Sequence, residues 1–265
     1  MAWPVAGIVD VILERIKFIP LWIAVFLFSA PFLILPVRAV ADEWRSPALI
    51  PQRFGTRALE AVRNDALIVE ALTNSITVGI GTMLVGLALA WPAARSLSAP
   101  GTSALLTSTV LAPVLLPPLV VGEGLRVWFL RIGIADGLIG IGLSHLISVV
   151  PYMILVLLPG FTGALRRREE AARVLGASRL QVWWGVTTRI LAGRVGVALV
   201  LGFTISWSQY GSSLGVGGGI PMLPLVLVPF VRSDPQIAAV LDLIFLLPPF
   251  LLFASALRAG VDRAA

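Results

Sequence analysis

The sequence predicts an all-α membrane protein that crosses the bilayer six times. Two observations predict it. The chain of 265 residues is 58% hydrophobic and only 13% charged, which leaves too little polar surface to cover a soluble core. Its apolar residues also fall in six runs: Phe18–Val37, Leu72–Ala94, Ser103–Val121, Gly137–Pro159, Ile190–Tyr210 and Gln236–Leu257. Each is close to the roughly 20 residues that an α-helix needs to cross the hydrocarbon. Backbone groups in lipid must be paired within the segment, so the runs read as helices. The two-residue alternation of a membrane barrel is absent.

Residues 1–17 come first. Val9, Ile12, Leu13 and Ile16 share one helical face, with Asp10, Glu14, Arg15 and Lys17 mostly elsewhere. This predicts a short amphipathic helix lying on the membrane surface. The first span is too long for a cleaved signal. Residues 18–258 then form the six-span domain, with a loop at 161–189 between spans four and five, and a tail at 259–265. Pro31, Pro113, Pro117, Pro118, Pro151, Pro248 and Pro249 lie inside or beside spans. Proline frees a backbone carbonyl and bends a helix, so several spans are expected to be kinked. The segments 38–66 and 122–136 are expected to hold short helices on the other side of the membrane from the termini.

Orientation is read from the basic residues, nineteen Arg and one Lys. With six spans the termini share a side. That side, which includes the 161–189 loop, carries 12 Arg and Lys against 8 on the other, and its net charge is +7 against 0. The positive-inside rule makes the termini and the loop cytoplasmic. The overall charge of +6 is thereby assigned to membrane orientation rather than to nucleic acid.

The loop contains RRREEAARVLGASRL at residues 166–180, with seven charged side chains. A helix is expected from about Gly163 to Leu175, with Ala171 and Ala172 small enough for close approach. Gly176 suits a left-handed stop. Ser178 opens a second helix, and Ser178-x-x-Gln181 has the spacing of a capping box. Leu180, Trp183, Trp184 and Thr187 would form one stripe along it. The resulting helix-turn-helix has a charged limb and an aromatic limb. It either docks a partner or rests on lipid headgroups with its tryptophans as anchors. The small-residue pair and the two Trp favour docking.

Glu170-Ala171-Ala172 followed by Gly176 resembles the EAA loop of permease subunits of binding-protein-dependent ABC importers. The later part of that pattern falls at Val186-Thr187-Thr188-Arg189, where the family's Leu-Pro pair is missing. Asn74-Ser75 in the second span, His145 with Pro151-Tyr152 in the fourth, and SWSQYGSSLGVGGG with Leu223-Pro224-Leu225 also resemble this family. They look like its branch of sulfate, molybdate, polyamine, iron and thiamine permeases. The resemblance covers roughly residues 65–258. It implies half of a transmembrane path in a bacterial cytoplasmic membrane, completed by a second permease subunit, identical or similar. It implies that the loop, through Glu170, Ala171, Ala172, Gly176, Ser178, Leu180, Trp183 and Trp184, couples to a cytoplasmic ABC ATPase dimer. Glu170 would hold the loop's fold or pair with a basic partner group. ATP and Mg would sit on that ATPase, with no cofactor on this chain. A periplasmic or lipid-anchored binding protein would deliver the solute.

Polar residues within the spans have two readings each. Asn74, Ser75, His145, Ser206, Gln209, Tyr210 and Asp242 are candidates for the translocation path. His145 is either a solute ligand or a structural hydrogen-bonding group, the latter being favoured. Ser206, Ser208, Gln209 and Tyr210 precede Gly211, Gly215 and Gly219, whose four-residue spacing fits either a gate or close helix packing. Gly217-Gly218-Gly219 argues against a regular helix there. Asp242 is either a group lining the path or an interfacial carboxylate bonded to a neighbouring helix.

No catalytic residue and no metal ligand set is expected. The chain has no Cys and one His, which leaves no thiolate site. VGGGIP lacks the Lys and Ser/Thr of a phosphate loop. Gly211-Ser212-Ser213-Leu214-Gly215 matches G-x-S-x-G, but that motif needs a strand, a turn and a helix around it. An intramembrane serine hydrolase using Ser213 and His145 is one alternative function. A passive channel or scaffold subunit is the other.

Overall fold

A computed structural model describes residues 18–45 and 47–261. The expected surface helix at 1–17 and the last four residues of the tail lie outside these. Helices dominate, and a two-stranded pair is the one sheet among the described residues. Five helical segments are long and apolar enough to cross a membrane, or six if a bent pair counts as one span. The chain divides into two compact units, residues 1–63 with 230–243, and residues 64–229 with 244–265.

The first unit begins with α1 (Ile19–Ala39), which carries Pro31 and Pro36 inside it. It is apolar on every side, and Trp22, Phe26 and Phe28 are exposed at 67%, 67% and 77%. Such a helix is at home in lipid or against other membrane helices. The 38–66 segment, expected as short helices, instead opens with a hairpin of β1 (Ala41–Glu43) and β2 (Arg53–Phe54), before α2 (Arg57–Asn64). Gly55 allows the turn to pass directly against the Asp42 carboxylate, where a Cβ would collide. Arg57 grips Asp234 through two parallel hydrogen bonds of 2.8 and 3.1 Å. Asp234 in turn accepts from the backbone N–H groups of Gln236 and Ile237, which caps the start of α12 (Pro235–Val261).

The second unit is a helix bundle. Its elements are α3 (Ala66–Leu97), α4 (Ala104–Leu111), α5 (Pro118–Arg131), α6 (Leu138–Leu157), α7 (Gly163–Val174), α8 (Arg179–Val182), α9 (Thr188–Trp207), α10 (Tyr210–Val216) and most of α11 (Leu223–Ser233). The core lies where α3, α6 and α9 meet, with Ala90, Ala94, Val149, Met153, Ile154, Leu157, Leu191 and Ala198 buried together. Small residues set the spacing. Gly86 faces Val149 and Met153, and Gly79 faces the Phe203 ring, so tightly that a Cβ would meet them at 3.0, 3.1 and 2.9 Å. In a membrane, such close backbone approach is the main source of helix association. Asp65 caps α3 by accepting from Leu67 and Ile68.

Two spans depart from the sequence expectation. The third, expected as one helix over 103–121, breaks. α4 runs into a short 3-10 turn (Ala112–Leu115), and α5 leaves at 100° to it. Leu116 and Pro117 each precede a proline, and both are extended, with ψ of 128° and 130°. A residue before proline is disfavoured in the helical region, and Pro117 and Pro118 have no N–H to continue the ladder. α5 therefore occupies much of the segment expected outside. The fifth span stops at Trp207, short of Tyr210, and α10 starts after a break at Ser208-Gln209.

Candidate functional site

The loop folds as the helix-turn-helix that its spacing predicts. Thr162 caps α7. Gly176 takes φ +88°, and Ser178 and Gln181 form the reciprocal capping box of α8. The expected stripe does not form. Leu180 and Trp184 are exposed at 65% and 61%, yet Thr187 is fully buried and Trp183 is half-buried against Trp91. The cause is a π-helical turn over Trp183–Thr187. Its extra residue rotates the following turn away from the register of an α-helix.

Glu169, which the sequence pattern does not single out, anchors this loop. It is 4% exposed and receives Arg95 at 2.6 and 3.2 Å and the Thr187 hydroxyl at 2.6 Å. One carboxylate thus joins the end of α3, α7 and the π-turn. Arg166 adds a second tie, donating to the Ser98 carbonyl and hydroxyl at 2.5 and 3.1 Å. The neighbouring Glu170, the motif residue, is exposed and has no partner among the described residues. Arg95 carries the signal that sequence reasoning could have used, as a lone cation at the end of an apolar run. The hairpin tip presents Val174 and Leu175 at 86% and 88% exposure beside Leu180 and Trp184.

Polar residues are gathered where α6 meets the α9–α10 break. His145 is fully buried and contacts the Ser206 hydroxyl at 2.8 Å through Nδ1 and the Ser213 hydroxyl at 2.9 Å through Nε2. Ser213 donates to the Gln209 carbonyl at 2.6 Å, so its oxygen is left to accept from the Nε2–H. In the neutral Nε2–H tautomer, Nδ1 accepts from the Ser206 hydroxyl. The serine of the G-x-S-x-G match is therefore hydrogen-bonded to the histidine, but the group behind that histidine is a hydroxyl. A nucleophile needs an acid-oriented base and access to substrate, and Ser213 is 0% exposed. The favoured structural reading of His145 is the one this geometry carries. Gly211 and Gly215 likewise serve packing: a Cβ on either would meet the α5 backbone at 2.7 Å. The helix then ends at Gly217, with Gly218 and Gly219 at φ +53° and +96°.

Asn74 and Ser75 are also engaged in structural bonds. Asn74 donates to the Pro221 carbonyl at 3.0 Å, and Ser75 accepts from the Leu223 N–H at 2.8 Å. Together they tether the chain just beyond the glycine run. Asp242 lies half-buried in α12, without a hydrogen bond or ion pair among the described residues. Tyr210 is 40% exposed at the start of α10.

A further set of polar groups faces a cavity. A cavity of about 370 Å³ is lined by Pro113, Val114, Leu116 and Pro118 from the broken third span, Ser148 and Tyr152 from α6, and Leu201, Ile205, Ser208 and Gln209 at the end of α9. No charged side chain lines it. Ser148 is 6% and Gln209 5% exposed. The Ser148 and Tyr152 hydroxyls and the Gln209 amide nitrogen have no hydrogen-bond partner among the described residues. Both helix breaks thus face this space, and irregular backbone at membrane depth is tolerated where it lines a cavity. No cluster of three metal-ligating side chains occurs among the described residues.

No family model matches the chain. It is 27% identical over 165 residues to the molybdate/tungstate transport system permease protein WtpB of Pyrococcus abyssi, a match over 62% of this chain and 66% of that one. It is 25% identical over 217 residues to the spermidine/putrescine transport system permease protein PotC of Escherichia coli, over 78% and 81%. Among solved structures, a chain of a bacterial ABC transporter involved in importing the acidic polysaccharide alginate superimposes with a TM-score of 0.74. That match covers 94% of this chain and 96% of the other at 15% identity, and it establishes the shared fold.

Proposed function

This chain is a relative of the permease subunits of ABC importers, and we propose that it forms half of a translocation path driven by a cytoplasmic ATPase. The observation that carries the coupling is the hairpin at 163–187. Its tip offers four exposed apolar side chains, while Glu169 and Arg166 bolt its base to the end of α3. A headgroup anchor needs no such bolt. A lever that must transmit displacement from a docked ATPase to the spans does. The chain does no chemistry. ATP and Mg belong to the ATPase dimer, and a second permease and a solute-binding protein complete the importer. The membrane is the bacterial cytoplasmic one, with both termini and the hairpin on the cytoplasmic side.

The mechanism rests on stiffness. Closure of the ATPase subunits on ATP would carry the hairpin tip. Because Glu169 touches α3 and the π-turn that leads into α9, both spans would move with it as rigid elements. The test is purification in mild detergent from the native membrane. An ATPase is expected to accompany the chain, and Gly176→Asp, which places a charge at the apolar tip, is expected to abolish its recovery while the permease still inserts. Recovery of the chain alone, intact and without an ATPase, would overturn this reading.

A further inference from the structure

A groove open to the surface runs between α3 and α9 at the root of the hairpin. It holds about 660 Å³, and its walls include Leu84 and Trp91 of α3, Trp183 and Trp184 of the π-turn, and Thr188 and Leu199 of α9. We propose that it seats one acyl chain of an acidic phospholipid, whose phosphate is held at the hairpin end by Arg189 with Arg95. On the premise that this chain is a permease, the hairpin end lies at the cytoplasmic surface and the groove in the cytoplasmic leaflet.

The dimensions are those of a lipid chain. The lining runs from Thr188 to Leu199 along α9, about 16 Å at about 1.5 Å per residue, and half the hydrocarbon core is about 15 Å. Every lining side chain is apolar or aromatic except Thr188, whose hydroxyl already donates to the Trp184 carbonyl at 2.7 Å. Such walls offer nothing to a hydrophilic solute. Gly196 gives the groove depth, since a Cβ there would meet nothing within 4 Å.

The groups that recognise a headgroup gather at one end. Trp91, Trp183 and Trp184 meet edge to face, with ring centroids 6.0 and 4.6 Å apart. None of their indole N–H groups donates a hydrogen bond among the described residues, and tryptophans of this kind sit at the level of the headgroups. Each helix then carries an arginine one turn beyond the lining. Arg95 follows Trp91 by four residues, and Arg189 precedes Ala192 by three, spacings that keep both on the stripe that faces the groove. Arg189 is exposed and has no partner among the described residues. Arg95 reaches the same end through Glu169, which also binds Thr187, and its side chain remains 41% exposed. Because Glu169 balances Arg95, Arg189 supplies the uncompensated charge.

Charge decides between occupants. A two-fold pair about the membrane normal brings identical residues to the same depth, so a second copy would set arginine against arginine. A zwitterionic lipid fills the groove but leaves Arg189 unbalanced. An acidic phospholipid satisfies both the apolar walls and the cation, as basic residues at a membrane surface do with anionic lipid.

The test reconstitutes the purified complex into phosphatidylcholine vesicles and adds phosphatidylglycerol brominated on its acyl chains, reading the quenching of tryptophan fluorescence. Saturable quenching is expected, whereas brominated phosphatidylcholine should quench only in proportion to its abundance, and inorganic phosphate should not reverse the effect. Arg189→Gln should raise the half-saturating fraction about fivefold, the worth of one cation at an anionic surface. Gly196→Leu, which fills the groove from open space, should remove the saturable component while the ATPase still co-purifies. Equal, unsaturable quenching by both lipids would overturn the proposal in favour of bulk lipid, and so would unchanged saturation in Gly196→Leu. Reversal by inorganic phosphate would overturn it in favour of a free anion. Separation of a permease pair by Gly196→Leu, with quenching intact, would assign the groove to a second copy. Failure of the permease reading looks different, since the ATPase would then be missing from the purified complex whatever the quenching.

Discussion

His145 and Ser148 lie one helical turn apart on α6, and their surroundings differ in one respect. Around His145 every donor meets an acceptor within 2.6–3.0 Å. Around Ser148 the donors face open space. Both regions are rich in serine, both are buried, and both lie where α9 breaks. The difference shows that a polar residue within a span is read from whether its hydrogen bonds are closed. A closed network specifies packing, because breaking it strands polar groups in a low-dielectric interior. An open set faces space instead of protein and contributes little to packing.

The sharpest way to break this comparison is His145→Ala. It would leave the Ser206 hydroxyl unpaired, take from Ser213 the N–H it accepts, and open a cavity, at a cost of about 2–4 kcal/mol. Thermal unfolding in detergent should show the drop. A shift no larger than that of a surface substitution would mean the network is not structural. Gly215→Ala comes next. Its Cβ would press on the Gly122 backbone at 2.7 Å, and overpacking of this kind costs about 1–3 kcal/mol.

The loop offers the same contrast between adjacent residues. Glu169→Ala should cost about 1–3 kcal/mol, because Thr187 and Arg95 lose their shared acceptor. Glu170→Ala should stay within about 0.5 kcal/mol, as exposed substitutions do. Paired unfolding curves check both, and equal losses would contradict the division of roles. The Arg57–Asp234 pair gives a smaller effect. The Arg57 guanidinium holds the Asp234 carboxyl below its ordinary value. A lowered carboxyl contributes stability above its unfolded-state value, and loses it as pH falls through the folded-state value. Since the pair is partly exposed, Asp234→Asn should cost less than about 1 kcal/mol near neutrality, with the difference from the parent vanishing in acid. The smallest effect is expected at the open site, where Ser148→Ala with Tyr152→Phe should leave the unfolding temperature almost unchanged.

Much of the molecule was legible in its sequence. Lipid forces the backbone into helices, so run length alone located the long spans. Gly176, Ser178 and Gln181 disclosed the hairpin, since a left-handed glycine and a capping box are local devices whose partners lie within a few residues. The 100° break was half-legible. The prolines announced a bend, but its size depends on what α5 packs against: Gly122 meets the α10 backbone near Ser212. The hairpin at 41–54 was not legible, because three residues of strand leave no usable period.

The site divides along the same line. Sequence identified Gln209, Ser206 and His145 as polar residues in the membrane. It did not separate closed groups from open ones; it passed over Ser148 and Glu169, and it took Tyr152 only as part of a family resemblance. The length of apolar runs, the sidedness of charge and the turn chemistry of the loop were determined by the sequence itself, because each rests on neighbours in the chain or on the bilayer. Which hydroxyls close on His145, which glutamate meets Arg95 and which donors face the cavity were decided only in the tertiary structure. Those outcomes depend on residues 18 to 74 positions apart, and a hydrogen bond is won or lost over a few tenths of an ångström that no spacing records.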